Sequence, residues 1–141
     1  MTRPEERFYM IRAWGVGFII LLIADTMVVV ATVIKIYPRA LMLLLRISPF
    51  IAAFVSAYLS PRRKVIMGTS MAIPTALLGV LVTFAYQLFG KEVDFPGIEG
   101  GLIVFVVSLA YGAVLCAIGG IVGYLLSMLI MTRKMNKEQP L

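Results

Sequence analysis

Asp25 and Arg46 are the residues of this chain whose type and placement could do chemistry, because each is a charge set inside an apolar run. Asp25 interrupts the stretch from Ala13 to Ile34, about 13 residues or ~20 Å of helix beyond Arg12. An unpaired charge at such depth costs on the order of 3 kcal/mol on insertion scales, and its remedies are a buried partner, a water-filled cavity or protonation. Arg46 is the available partner. It lies about seven residues past Arg39 while Asp25 lies about ten before Lys35, a difference in depth of roughly 5 Å that a long arginine bridges. Two chemistries follow. One is a structural ion pair that fixes how the first two helices pack, which the presence of a partner of the right sign favours. The other is a proton- or cation-binding site in a transport cycle, which gains if Arg46 snorkels to the headgroups and leaves Asp25 alone.

The remaining reactive side chains offer less. Cys116 sits in an apolar stretch with no histidine in the chain and no flanking base to activate it, so it reads as a small packing residue. Tyr58, Tyr86, Tyr111 and Tyr124 read as belt or packing aromatics, with Tyr111 and Tyr124 far enough inside an apolar run to present a hydroxyl to a cavity. With no histidine and one cysteine, haem, zinc and iron–sulfur ligand sets cannot be assembled, and neither a metal nor any other cofactor is expected. An enzyme is not expected either, since Asp25 with tyrosines is a poor set for acid–base or nucleophilic work.

The elements that must position these residues are membrane helices. A mean hydropathy of +0.99 with 61% hydrophobic residues over 141 positions is incompatible with a soluble core, because so small a domain must keep a large polar surface wet. The charges cluster at the ends of four apolar runs, which predicts an all-α, four-transmembrane-helix bundle in one domain over 1–141, with helices at about 10–35, 40–60, 65–88 and 102–131. Thr2 and Glu5 form a candidate capping box ahead of an interfacial turn, and the basic, then apolar start is too long for a cleaved signal. Lys35 to Arg39 makes a tight connection, and Pro61-Arg62-Arg63-Lys64 ends the second helix. Pro74 predicts a bend in the third. Phe89 to Gly101, with Lys91, Glu92, Asp94, Pro96 and Glu99, reads as a polar loop. The fourth run has about 30 uncharged residues where about 20 span, so tilt or a kink near Gly119-Gly120 is expected.

Orientation follows from Lys and Arg. Arg3, Arg7, Arg12, Arg62, Arg63, Lys64, Arg133, Lys134 and Lys137 fall on one side, against Lys35, Arg39 and Lys91 on the other, which puts both termini in the cytoplasm. Compactness and this bias point to a bacterial inner membrane. Arg62, Arg63, Lys64, Arg133 and Lys134 could also meet anionic lipid or an acidic cytoplasmic protein. The net charge of +6 is therefore topological, and nucleic acid is not expected as a partner.

Small residues mark where helices approach. Ser108, Gly112, Cys116 and Gly120 recur every fourth residue, and Gly119 with Gly123 gives a second track. Gly68, Ala72 and Ala76 form a strip on the third helix, and Ala53 with Ala57 another on the second. The tracks serve packing within one bundle or an oligomer face. Four such helices enclose little alone, so a homo-oligomer with a shared central surface is expected.

Leu88-Phe89-Gly90-Lys91-Glu92-Val93-Asp94-Phe95-Pro96-Gly97-Ile98-Glu99-Gly100 resembles the loop between helices three and four of small multidrug resistance transporters, four-helix chains with an acidic residue in helix one. The resemblance implies a proton-coupled exporter working as a dimer, with Asp25 in the carboxylate's place. It spans about a tenth of the chain, whereas that family uses glutamate, has a shorter fourth helix and offers no counterpart to Arg46, so the chain is not assigned to it.

Two functions stand as expectations. The first is a non-enzymatic oligomeric anchor or sensor, for example one of an envelope-stress or defence system, that works with a cytoplasmic protein docked on the basic face. The second is a small transporter or cation pore that uses Asp25.

Overall fold

The computed structural model describes residues 3–34, 39–88 and 97–138, and every regular element among them is helical. In chain order these are α1 (Arg3–Val33), α2 (Arg39–Leu59), α3 (Lys64–Thr69), α4 (Ala72–Leu88) and α5 (Gly97–Glu138). Three apolar stretches among the described residues are long enough to cross a membrane, Glu5–Ala31, Lys64–Ala85 and Glu99–Arg133, and α2 adds a shorter one at Arg46–Leu59. The helices start and stop where backbone chemistry changes. The interfacial turn expected before the first helix is continuous with α1, and Thr2 of the candidate capping box lies outside the described residues. The connection Lys35 to Pro38 and the loop residues Phe89 to Pro96, which carry most of the transporter-like stretch, lie outside them as well.

The third apolar run, read as one bent helix over 65–88, comes as α3 and α4 with a turn at Ser70 and Met71 between them. Pro74 explains the place. Its nitrogen has no hydrogen to give the Ser70 carbonyl, so the Ile73 amide bonds that carbonyl instead at 3.3 Å, and the Met71 amide bonds Gly68 at 3.1 Å. The chain is pinched one turn upstream of the proline. Pro61 likewise ends α2, and the turn places Arg63 in the left-handed region at φ 51°, with the Ser60 hydroxyl donating to the Arg62 carbonyl at 2.6 Å.

α5 is helical without a break through Gly119 and Gly120 and begins at Gly97, inside the stretch read as loop. Its 42 residues rise about 63 Å, twice the ~30 Å of a bilayer's hydrocarbon.

Neighbour contacts close a ring. α1 packs on α2 and α4, and α5 packs on α2, α3 and α4. α1 runs antiparallel to α2, with Ala13 opposite Ser56 and Gly17 opposite Ala52, while α5 runs parallel to α2, with Gly119 beside Phe50 and Gly123 beside Phe54. The interior is mostly small side chains, with Leu21, Val28, Met71 and Leu78 as its larger members. Ala52, Ala53, Ala57, Ala72, Ala76, Ser56 and Cys116 are buried, whereas Val106 and Val107 on α5 are each 62% exposed. Small inside and branched aliphatic outside is the pattern of helices that approach closely in lipid, where apolar burial drives nothing.

One interior hydrogen bond tests the packing directly. The Ser56 hydroxyl, fully buried, donates to the Ala13 carbonyl on α1 at 3.0 Å. Ser56→Ala should cost about 0.5–1.5 kcal/mol, read as a lower thermal midpoint in detergent. An unchanged midpoint would mean that α1 does not dock on α2 in this register.

Candidate functional site

The antiparallel register sets the level of the two intramembrane charges. Continuing the pairing of Ala13 with Ser56 and Gly17 with Ala52 brings Asp25 level with residue 44, so Arg46 stands two residues away, ~3 Å along the axis. Counting inward from Lys35 and Arg39 puts Arg46 about three residues nearer that end of the helices than Asp25, whereas the register puts it about two residues deeper, so the two differ by more than one turn even though both keep the charges at similar depth.

Both charges line one cavity of about 190 Å³. All four sides of the ring contribute. α1 supplies Leu21 and Asp25; α2 supplies Arg46, Ser48 and Pro49; α4 supplies Thr75, Gly79 and Val82; α5 supplies Ser108 and Tyr111. The space exists for local reasons. Gly79 has no side chain, and a Cβ there would stand 2.8 Å from the Ser108 oxygen. Pro49 removes a backbone donor from α2 at the same level.

Two of the hydroxyls already donate within the wall. Tyr111 donates to the Arg46 carbonyl at 2.9 Å and Thr75 to the Met71 carbonyl at 2.8 Å, so each oxygen keeps its lone pairs as acceptors. Asp25 is half-buried and makes no hydrogen bond or ion pair among the described residues. Arg46 is exposed, and none of its nitrogens comes within 4.0 Å of the Asp25 carboxylate. The charges share a cavity without closing on each other.

The small-residue track of α5 faces its own chain. Gly112 lies against Thr75 and Ala72, Gly120 against Val65 and Gly68, and Gly119 and Gly123 against the backbone of α2 at Phe50 and Phe54. Cys116 is buried and its thiol reaches the Pro49 carbonyl at 3.4 Å. Ser108, read from sequence as a packing residue, lies against Gly79 of α4 and also lines the cavity. Thr75, Gly79 and Ser48 were not singled out from sequence. The spacing of Thr75 and Gly79, one turn apart on a helix that also carries Pro74, was the available signal.

The basic residues gather at the other end. Arg62 pairs with Glu6 of α1 at 3.1 Å, the ion pair found among the described residues, and Lys64 donates to the Tyr58 carbonyl at 3.3 Å. Arg62, Arg63, Lys64 and Tyr124 line one open cleft there, and Glu6, Arg7, Met10, Arg62 and Arg63 line another. Arg133 is exposed on α5, and the side chain of Lys134 lies outside the described residues. The Arg62 side chain is 71% exposed, so Glu6→Gln should change stability by less than about 1 kcal/mol at moderate salt, measured as a thermal midpoint. A larger loss would make the pair a structural clasp between α1 and the α2–α3 turn.

No group of His, Cys, Asp and Glu among the described residues could hold a metal ion. Comparison with protein-family models, with curated proteins and with solved structures gives no match to this chain.

Proposed function

We propose that this chain crosses the membrane four times with both termini on the cytoplasmic side, and that the cavity around Asp25 binds a small charged solute as a step in carrying it across. One observation carries the proposal: a carboxylate in an apolar helix, without a bonded partner, lines a cavity to which α1, α2, α4 and α5 all contribute. An acidic residue at such depth faces a pathway, a partner or water, and here the facing group is a space large enough for a ligand. The ring of helices supports four crossings, with α3 and α4 together as the third and α2 as the shortest. The basic end, which holds Arg7, Arg62, Arg63 and Lys64, is the cytoplasmic one by the rule that positive loops stay inside. One chain lines the cavity, so an oligomer is not required to form it.

The second reading, an anchor or sensor for a cytoplasmic protein, draws on the exposed basic clefts beside Arg62 and Arg63. Those clefts serve orientation equally well, whereas an unbonded Asp25 has no role in an anchor. Purified chain in liposomes should carry at least one of a panel of protons, alkali cations, small organic ions and small zwitterions, and Asp25→Asn should abolish the flux while the protein stays folded. Normal transport by the variant, or no flux from the wild type with any of them, removes the proposal.

A further inference from the structure

The cavity holds two opposite charges, and their arrangement selects among solutes. Asp25 and Arg46 stand within about half a turn in depth, both line the same space, and they do not pair. An arginine and a carboxylate within reach of each other commonly form a bidentate pair. Both instead line the space, Asp25 half-buried and Arg46 exposed. We infer that the ligand of this cavity is a small zwitterion, with its ammonium on the Asp25 carboxylate and its anionic group on the Arg46 guanidinium. The inference rests on the proposal that the cavity is a solute site and names the chemical class that fits it.

Three features of the wall agree. The acceptor lone pairs of the Thr75 and Tyr111 hydroxyls suit the extra hydrogens of an ammonium group, since both protons of those hydroxyls are given to backbone carbonyls. Leu21 and Val82 supply apolar contact for a short carbon chain between the charged ends. The volume of about 190 Å³ somewhat exceeds the ~150 Å³ that suffices for a benzene-sized guest, which sets the ligand at roughly six to ten non-hydrogen atoms. A zwitterion also brings no net charge into the membrane, and it replaces the missing ion pair on both sides at once.

The test uses the full chain in detergent and a matched set of probes. β-Alanine and a panel of small amino acids carry both charges; propylammonium carries the cation alone and propionate the anion alone. Ligand binding is read by calorimetry and by the shift in thermal midpoint. At least one zwitterion is expected to bind, its N-acetyl and methyl-ester forms to bind at least tenfold more weakly, and both Asp25→Asn and Arg46→Gln to lose it. Arg46→Gln should still leave any binding of propylammonium intact. If propylammonium binds as well as the zwitterion, or Arg46→Gln leaves zwitterion affinity unchanged, the zwitterion assignment is overturned and a cation site at Asp25 stands. If no member of the panel binds, the solute site itself is overturned along with it.

Discussion

Replacing Gly119 and Gly123 together by alanine is expected to leave little folded protein in detergent, the largest stability effect available from so small a change. A Cβ on Gly123 would stand 2.5 Å from the Phe54 carbonyl oxygen, and one on Gly119 would press on the Phe50 carbonyl oxygen more closely still. Neither obstacle is a side-chain tip that could rotate away. Relief requires α5 to move off α2 along its length, which also separates Cys116 from Pro49 and Tyr111 from Arg46. Overpacking in a tight interior costs about 1–3 kcal/mol per site, and rigid backbone obstacles place each of these substitutions at the upper end. Gly15→Ala is the control, because a Cβ there meets nothing within 4 Å and alanine is the better helix former by about 1 kcal/mol. Thermal midpoints of the three proteins measure the contrast. Equal stability of the double variant and the wild type would mean that α5 does not lie on α2 through these glycines.

Gly79→Leu should remove solute binding at least tenfold while leaving both cavity charges in place. The leucine would enter beside Ser108 and fill much of the space between α4 and α5. Its nearest obstacle is the Ser108 hydroxyl, which can turn aside, so the loss of stability should be smaller than in the α2–α5 seam. Adding Ser108→Ala relieves the crowding further, so a variant that folds but does not bind separates occupancy from folding. Calorimetry with the best-bound probe is the readout, with the thermal midpoint alongside. Undiminished affinity would mean that the solute lies elsewhere.

Much of this was legible in the chain because lipid leaves few ways to place a charge. That Asp25 and Arg46 lie at similar depth follows from counting residues inward from Lys35 and Arg39, but the count puts Arg46 on the outer side of Asp25 and the helix register puts it on the inner side, because the α1–α2 packing slides the two helices past their shared turn. Tyr111 was legible as a hydroxyl deep in an apolar run. The failure of Asp25 and Arg46 to pair was not, since a long arginine has the reach for either arrangement and only the positions of the flanking side chains decide. Thr75 and Gly79 share the face of Ala72, three and seven residues beyond it, but the small residues at every fourth position, Gly68, Ala72 and Ala76, are the stronger pattern on that run and do not include them. The break at Ser70 was displaced from its cause, as a proline acts on the carbonyl four residues before it. Gly97 to Gly101 looks like loop by composition, yet it forms the first turn of α5, where glycine costs less than in a helix interior.

The central claim is that Asp25 serves a ligand and not the packing of α1 on α2. The most direct measurement compares Asp25→Asn, Asp25→Arg, Arg46→Asp and the Asp25→Arg/Arg46→Asp double variant for folded stability in mild detergent, with solute binding measured on the same samples. The account predicts that Asp25→Asn is as stable as the wild type or more so, because it removes a charge that no partner compensates. It predicts as well that this variant no longer binds, and that exchanging the charges restores no stability. Collapse of each single charge reversal with recovery in the double variant would contradict it, and would make the two residues a structural pair.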